Sequence, residues 1–359
     1  MRQGIFSGFW GKQSCHCQGI AVDQKRGYIY YSFTTKLVKG DLLGNVIGSV
    51  VGIVGHLGCI DFNEEDGKVY ASLEYKNDAI GKGIRGVLGI DEEFVSNAFY
   101  IAIFDGDKID RLDMDAEKDG VMRAVYLPTV VADFCGETVQ GGKTLPHVHG
   151  CAGMDGTAWG PDFGAEKESR RFLHVAYGVY GDVTRRDNDY QILLQYDAAD
   201  WWDTLAAPLS QDAMHRNAAL PRRKYFVYTG NTIYGVQNLE YDAYTGDWFL
   251  CVYRGVKKEF PNYPMFVVDG SRAAEERVLL GHDPEERGLV LSLRDTGISE
   301  NGISGMTFPH GSTGFYAAGD GTYLVSEHFT GEDGEQATRV FRYRLDRGEI
   351  WQLVSCEEE

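Results

Sequence analysis

The chain has 359 residues with 53 acidic and 35 basic side chains, and its formal net charge is −18. That balance excludes nucleic acid as the main partner, because a phosphate backbone needs a basic face, and the doublets Arg170–Arg171, Arg185–Arg186, Arg222–Arg223 and Lys257–Lys258 stand isolated. Glycine, at 45 residues against a usual share of about 7%, combines with abundant aromatics to exclude collagen, coiled coil and bulk disorder, and points to many strands joined by tight turns.

The opening residues, MRQGIFSGFW, carry no apolar leader core and no small-residue cleavage site, which predicts a cytoplasmic protein. The most apolar stretch, 46–60, is too short to span a bilayer, so no membrane association is expected. Seven cysteines, an odd number, with Cys59 and Cys251 inside strand-like runs, predict reduced thiols.

Strand-like runs separated by Asp-Gly, Gly-Asn and Thr-Gly turns fill most of the chain and predict an all-β fold. Only 198–220 reads as helical, and Pro208 interrupts it. Five segments share one pattern of two apolar strands about an Asp/Asn turn. They are QGIAVDQKRGYIYYSF from Gln18, GCIDFNEEDGKVYASLEY from Gly58, GCAGMD from Gly150 with RFLHVAYG, QNLEYDAYTGDWFLCVYR from Gln237, and GISGMT from Gly302 with TYLVSEHF. A third strand follows each (KLVKGDL, FYIAIFDGDKI, QILLQYD, MFVVDG, RVFRYRLD), and then a fourth (NVIGSVV, VMRAVYL, RKYFVYT, ERVLL, IWQLVS). Four strands per unit, repeated head to tail, predict a β-propeller occupying 1–359 as a single domain. The starts lie 40, 92, 87 and 65 residues apart, where a compact blade takes about 40–50, so three intervals carry insertions. Five four-stranded blades is the expected number. Six or seven stay open, with Gly288-LVLSLRD as one place for another, and a pair of β-sandwiches is the competing fold.

The inner-strand phrases Gly19-IAVD, Gly58-CIDFN and Asn238-LEYD, with Leu37-VKGDLLGNVIG, resemble β-propeller proteins, especially those with NHL-like or SMP-30/gluconolactonase-like blades. The resemblance implies that each inner strand begins at one mouth of a central channel, to which the end of the second strand also rises. Two rings of residues follow. Before the inner strands stand His16, His56, His147 or His149, Gln237 or Asn238, and Asn301. At the ends of the second strands stand Thr34, Glu74, Tyr177, Tyr253 and His328, with Tyr180, Arg254 and Glu327 beside them.

Imidazoles converging on an axis can hold a divalent metal. His16, His56, His149 and Gln237 are therefore candidate ligands for calcium, manganese or zinc, with a hydrogen-bonded network around water as the alternative. Glu74 and His328 are candidate acid–base groups. Arg254 or Arg185 could clamp an anion, and Tyr177 and Tyr253 could stack on a sugar. The glycine-bearing insertion 77–97 is a candidate mobile lid. Cys15-His16-Cys17 has no second cysteine pair at zinc spacing, the runs around Asp105 and Asp113 lack EF-hand spacing, and no P-loop or GxSxG occurs.

The expected function is an enzyme acting on a small polar or sugar-like molecule at the mouth. Its reaction would be metal- or His/Glu-assisted hydrolysis or elimination on a carbohydrate, sugar acid or lactone. The lactonases of the resembled group hold calcium with Glu, Asn and Asp, whereas this chain offers mostly His. Propeller lyases acting on uronates have His/Gln metal sites that look closer. A non-catalytic ligand-binding or protein-interaction propeller is the alternative.

Overall fold

Many strands of this chain are apolar at consecutive positions instead of alternate ones. The strand Tyr28–Phe33 reads YIYYSF, and every residue after its first is buried. Successive side chains point to opposite faces of a sheet, so such a strand has both faces covered. Tyr30 enters an apolar cluster with Leu57, Val69 and Ala71, while its neighbour Tyr31 enters another with Tyr316 and Val340. Likewise Phe249 packs with Phe315 and Tyr323, and Trp248 and Leu250 pack with Ala158 and Leu193. Sheets stacked face to face around a ring satisfy this pattern.

A computed structural model describes residues 15–356 and shows a β-propeller of five blades. Residues 1–10, on which the expectation of a cytoplasmic protein rests, lie outside the described residues. Inner to outer, blade 1 is Cys17–Asp23, Tyr28–Phe33, Lys36–Asp41 and Val46–Val51, with the two-residue strand Met114–Asp115 added in parallel at its edge. Blade 2 is His56–Asn63, Lys68–Tyr75, Ala98–Asp105 and Met122–Tyr126. Blade 3 is Cys151–Pro161, Arg171–Val179, Tyr190–Tyr196 and Arg223–Tyr228, and blade 4 is Thr232–Asp242, Asp247–Arg254 and Met265–Val268. Blade 5 is Phe315–Ala317, Thr322–Thr330, Gln336–Arg347 and Trp351–Ser355. Each inner strand touches the next, and the last touches the first. Five apolar clusters fill the five junctions between neighbouring blades.

Buried polar groups tie the inner strands together. Asp61 accepts a hydrogen bond from Trp159 N–H at 2.6 Å, and Glu240 accepts one from Ala317 N–H at 2.8 Å. Asn238 Nδ2 donates to Gln18 O at 2.9 Å across the channel. Burial pushes the Asp61 carboxyl up to about 6.

Three expectations are corrected. The phrase GISGMT is not an inner strand: Ile303–Ser304 pairs with Ser299–Glu300, and blade 5 starts at Phe315. The ERVLL strand does not complete blade 4. Glu275–Val278 is exposed at all four residues, and it forms a hairpin with Arg287–Leu291 that adds in parallel to the outer edge of blade 3. The segment near Gly288 therefore builds no extra blade; beyond it Leu293 bridges Val268 and takes the outer place in blade 4. Within 198–220 only Trp201–Thr204 is helical, and the longer helices are α1 (Ala79–Leu88) and α2 (Pro128–Cys135). No helix among the described residues is long and apolar enough to cross a membrane. All seven cysteines carry free thiols, and Cys17, Cys59, Cys151 and Cys251 are buried.

Candidate functional site at the channel mouth

Four inner strands slip register near one end, between Cys17 and Gly19, Leu57 and Ile60, Met154 and Thr157, and Val236 and Asn238. A bulge leaves residues unpaired and re-aims their side chains. The residues released here include Gln18, Asp155 and Gln237, so the bulges put polar groups where plain alternation would not.

The resulting cluster centres on His56, whose Nδ1 lies 3.2 Å from Glu74 Oε2 and 3.5 Å from Asp155 Oδ1. The Lys76 ammonium sits 2.7 Å from Glu74 Oε2 and donates to Ala152 O at 2.8 Å. Glu74 is the penultimate residue of the second strand of blade 2, and Lys76 follows directly after that strand ends at Tyr75. Glu74 Oε1 accepts from Met154 N–H at 2.6 Å. Gln237 Nε2 donates to Asp155 Oδ2 at 3.3 Å, while Asp155 Oδ1 is buried with no hydrogen-bond partner.

Two glycines make room for these carboxyls. A Cβ at Gly58 would stand 2.6 Å from Asp155 Oδ1. Gly153 has φ +115°, and a Cβ there would collide with Glu74 Oε1.

The charges are shared unevenly. Burial drives the Asp155 carboxyl up to about 7, with His56 opposing and Glu74 reinforcing the shift. Burial also works against Glu74, but Lys76 and His56 overcome it and hold its carboxyl below the usual range. Burial disfavours the His56 imidazolium, yet Asp155 and Glu74 more than compensate and raise it. Lys76 is raised in the same way, chiefly by Glu74 against burial.

Beside this cluster opens a mouth cavity of about 690 Å³, lined among others by His16, Tyr253, Ser312, Ser326, Glu327 and His328. Burial and the neighbouring His56 and His328 hold His16 down at about 4, so it is neutral at pH 7. Gln18 Nε2 lies 2.9 Å from both His16 Nε2 and Thr34 Oγ1. His328 Nδ1 accepts from Cys17 N–H at 3.2 Å, which leaves a neutral ring its Nε2–H as donor. His310 Nδ1 pairs with Glu327 Oε1 at 3.2 Å.

The insertion read as a mobile lid holds α1. Asp78 caps it by accepting from Gly81 N–H at 2.8 Å, and Gly89, at φ +71°, ends it. Gly81 and Ile84 line a small recess with His56, Glu74 and Lys76. Arg85 Nη1 donates to Lys76 O at 3.0 Å, and Val87 reaches the mouth cavity.

Of the residues singled out from sequence, His16, Thr34, His56, Glu74, Gln237, Asn238, Tyr253, Glu327 and His328 gather here. The other candidates stand elsewhere. His149 lies in the turn Val148–Gly150 with its Nδ1 3.0 Å from His282 Nε2. Tyr177 is buried and donates to Asp133 at 2.7 Å. Arg254 is exposed, with Nε donating to Asn262 O at 2.9 Å. Arg185 is buried against Asp187 at 2.7 Å. Asn301 sits in an exposed turn. Sequence reasoning passed over Asp155, Lys76 and Ser312; the legible signal for the first was an acid inside the apolar inner strand Cys151–Pro161.

Among the described residues, two groups have ligand atoms within 4.8 Å of one another, as a metal ion would require: His56, Glu74 and Asp155, and His149, His282 and Glu286.

No protein-family profile and no curated protein matches the chain. Among solved structures, an α-L-arabinanase mutant from Cellvibrio cellulosa is 9% identical over 96% of each chain, with a TM-score of 0.42. An exo-1,5-α-L-arabinanase from a bovine ruminal metagenomic library is 11% identical over 99% of each chain, at 0.41. The soluble aldose sugar dehydrogenase of Escherichia coli is 8% identical over 93% of this chain and 98% of that one, at 0.34. At such scores these likenesses say nothing about the chemistry of this chain, whose five-bladed architecture rests on its own strand pairing.

Proposed function

We propose that the chain is an enzyme that binds a small, neutral, hydroxyl-rich molecule of sugar-like type in the mouth cavity and hydrolyses it with Asp155 as the proton-transferring group. The observation that carries this reading is the buried Oδ1 of Asp155, which makes no hydrogen bond and lies 3.5 Å from His56 Nδ1, on a carboxyl pushed up to about 7. A general acid or base works best when its pKa lies near the working pH. Asp155 gives its proton to the leaving oxygen as the carbon–oxygen bond breaks. Water then adds its hydroxyl to the carbon and returns a proton to Asp155. His56, held by Glu74, supports charge that develops on oxygen.

The substrate class follows from the lining. His16 and His328 are both held below the ordinary histidine value by burial, and Ser312, Ser326 and Tyr253 add neutral donors and acceptors. Such a wall matches hydroxyls better than carboxylate or phosphate. Arg254 and Arg185 have other partners, so neither supports an anion clamp.

The spacing of His56, Glu74 and Asp155 favours a second reading, a divalent cation. Lys76 opposes it: the ammonium already lies against the Glu74 oxygen that such an ion would take. No step is assigned to a metal there.

Hydrolysis of a panel of aryl glycosides and sugar lactones by EDTA-treated protein, with thermal shifts on the same compounds, tests the reading. Turnover without added metal, lost in Asp155→Asn while the ligand-induced shift remains, supports it. A shift without turnover in the wild type replaces it with a binding role, and turnover restored only by a divalent ion replaces it with the metal reading.

A further inference from the structure

His149, His282 and Glu286 form a second group, built from different elements than the mouth. His149 belongs to the turn that leads into the inner strand of blade 3. His282 and Glu286 lie in the loop between Glu275–Val278 and Arg287–Leu291, the hairpin added to the outer edge of that blade.

Several features point to ligation. His282 Nδ1 lies 3.3 Å from Leu280 O; donating a proton to this carbonyl leaves the Nε2 lone pair directed at His149, 3.0 Å from its Nδ1. Such an outer hydrogen bond is the usual way a metal-binding imidazole is oriented. Glu286 reaches both rings, with Oε1 3.7 Å from His149 Nε2 and Oε2 3.9 Å from His282 Nε2. The side chains of His149 and His282 are 3% and 5% exposed and that of Glu286 is 44% exposed, so the group is closed on the protein side and open on the other. The contrast with the mouth lies in the nearby cations. Lys224 and Arg185, which approach His149, are held at 2.7 Å by Asp133 and Asp187, so neither competes for Glu286.

We propose that His149, His282 and Glu286 bind one zinc ion, with water at the open position, and that the ion pins the 275–291 hairpin to the head of blade 3. Two imidazole nitrogens and one carboxylate oxygen are a zinc donor set; calcium and magnesium prefer oxygen alone. The competing arrangement is a direct imidazole–imidazole hydrogen bond with no ion.

Zinc titration of the EDTA-stripped full chain against a chromophoric chelator tests the proposal, using the wild type, His282→Ala, Glu286→Ala and His56→Ala. His282 and Glu286 lie on a loop, so their variants leave the blade cores in place. One equivalent bound by the wild type and by His56→Ala, weakened at least about tenfold in both loop variants, is the expected result. Zinc should also slow proteolytic cleavage of the 279–286 loop in the wild type and not in His282→Ala. Absence of a stoichiometric site, loss only in His56→Ala, or unchanged affinity in the loop variants would overturn it.

Discussion

Two neighbouring regions at the channel mouth are built differently. On the side of blades 2 and 3, Glu74, Lys76, His56 and Asp155 are locked in a buried ionic network, backed by the cluster of Phe99, Met154, Tyr177 and their neighbours. On the side of blades 5 and 1, His16, His310 and His328 line an open cavity. The apolar cluster behind it is small, with Cys17, Tyr31, Phe33 and Val340 among its members. The first wall stores charge away from water, which is where a perturbed proton donor can be held. The second presents His16, His328 and hydroxyl groups to whatever enters, together with the Glu327 carboxylate paired to His310. Under the proposed function, the buried network would supply the chemistry and the open cavity the recognition.

Lys76→Met should produce the largest effect, because it strands Glu74 as a buried, poorly paired charge. Removing one partner of such a pair costs about 3–5 kcal/mol, to be read from urea unfolding. A loss no larger than that of an exposed lysine would erase the proposed difference between the walls.

Asp155→Asn keeps the shape of the ionic wall and removes its proton donor. Turnover should fall about 100-fold or more, while the ligand-induced thermal shift persists.

The walls should also respond to pH with opposite signs. Asp155, raised to about 7 when folded, binds more protons folded than unfolded, so its contribution to stability is present below about pH 4 and is lost as pH rises to about 7. His16, lowered to about 4, binds fewer, so its contribution is present above about pH 6.5 and is lost as pH falls to about 4. Urea midpoints across pH 4–8 should therefore lose their downward component in Asp155→Asn and their acid-side loss in His16→Gln. Parallel profiles for the two variants would contradict the assignment.

The smallest effect belongs to the recognition wall. His328→Ala should raise KM by about tenfold or less and leave kcat nearly unchanged. A fall in kcat comparable to that of Asp155→Asn would move the chemistry to the other side.

Much of the ring was legible because each blade repeats a local signal. Tyr28–Phe33 and Asp247–Arg254 are apolar at successive positions, and turns closed at Gly27 and Gly246 separate them from their partners. The fifth inner strand was missed because Phe315–Ala317 has only three residues, too few to show a period. The exposed strand Glu275–Val278 was put on blade 4 because sequence order favours the nearest sheet, but its hairpin partner carries it back to blade 3. His16 and His56 were recognisable as neighbours from their equal places in adjacent repeats. His149 was not separable from them, since the positive φ angles at His147 and His149 that turn the chain away leave no mark in composition.

An all-β chain of repeating strand pairs, with imidazoles and Glu74 at equivalent ends, follows from local order alone, because strand periodicity and turn chemistry act over a few residues. Which of those groups meet depends on the packed ring. Bulges in separate inner strands released Asp155 and Gln237, and the missing side chains of Gly58 and Gly153 left space for carboxyls from another blade. Lys76 is close to Glu74 in the chain, but the burial that raises Asp155 comes from blades packed around it. Desolvation belongs to the assembled ring and to no segment of it.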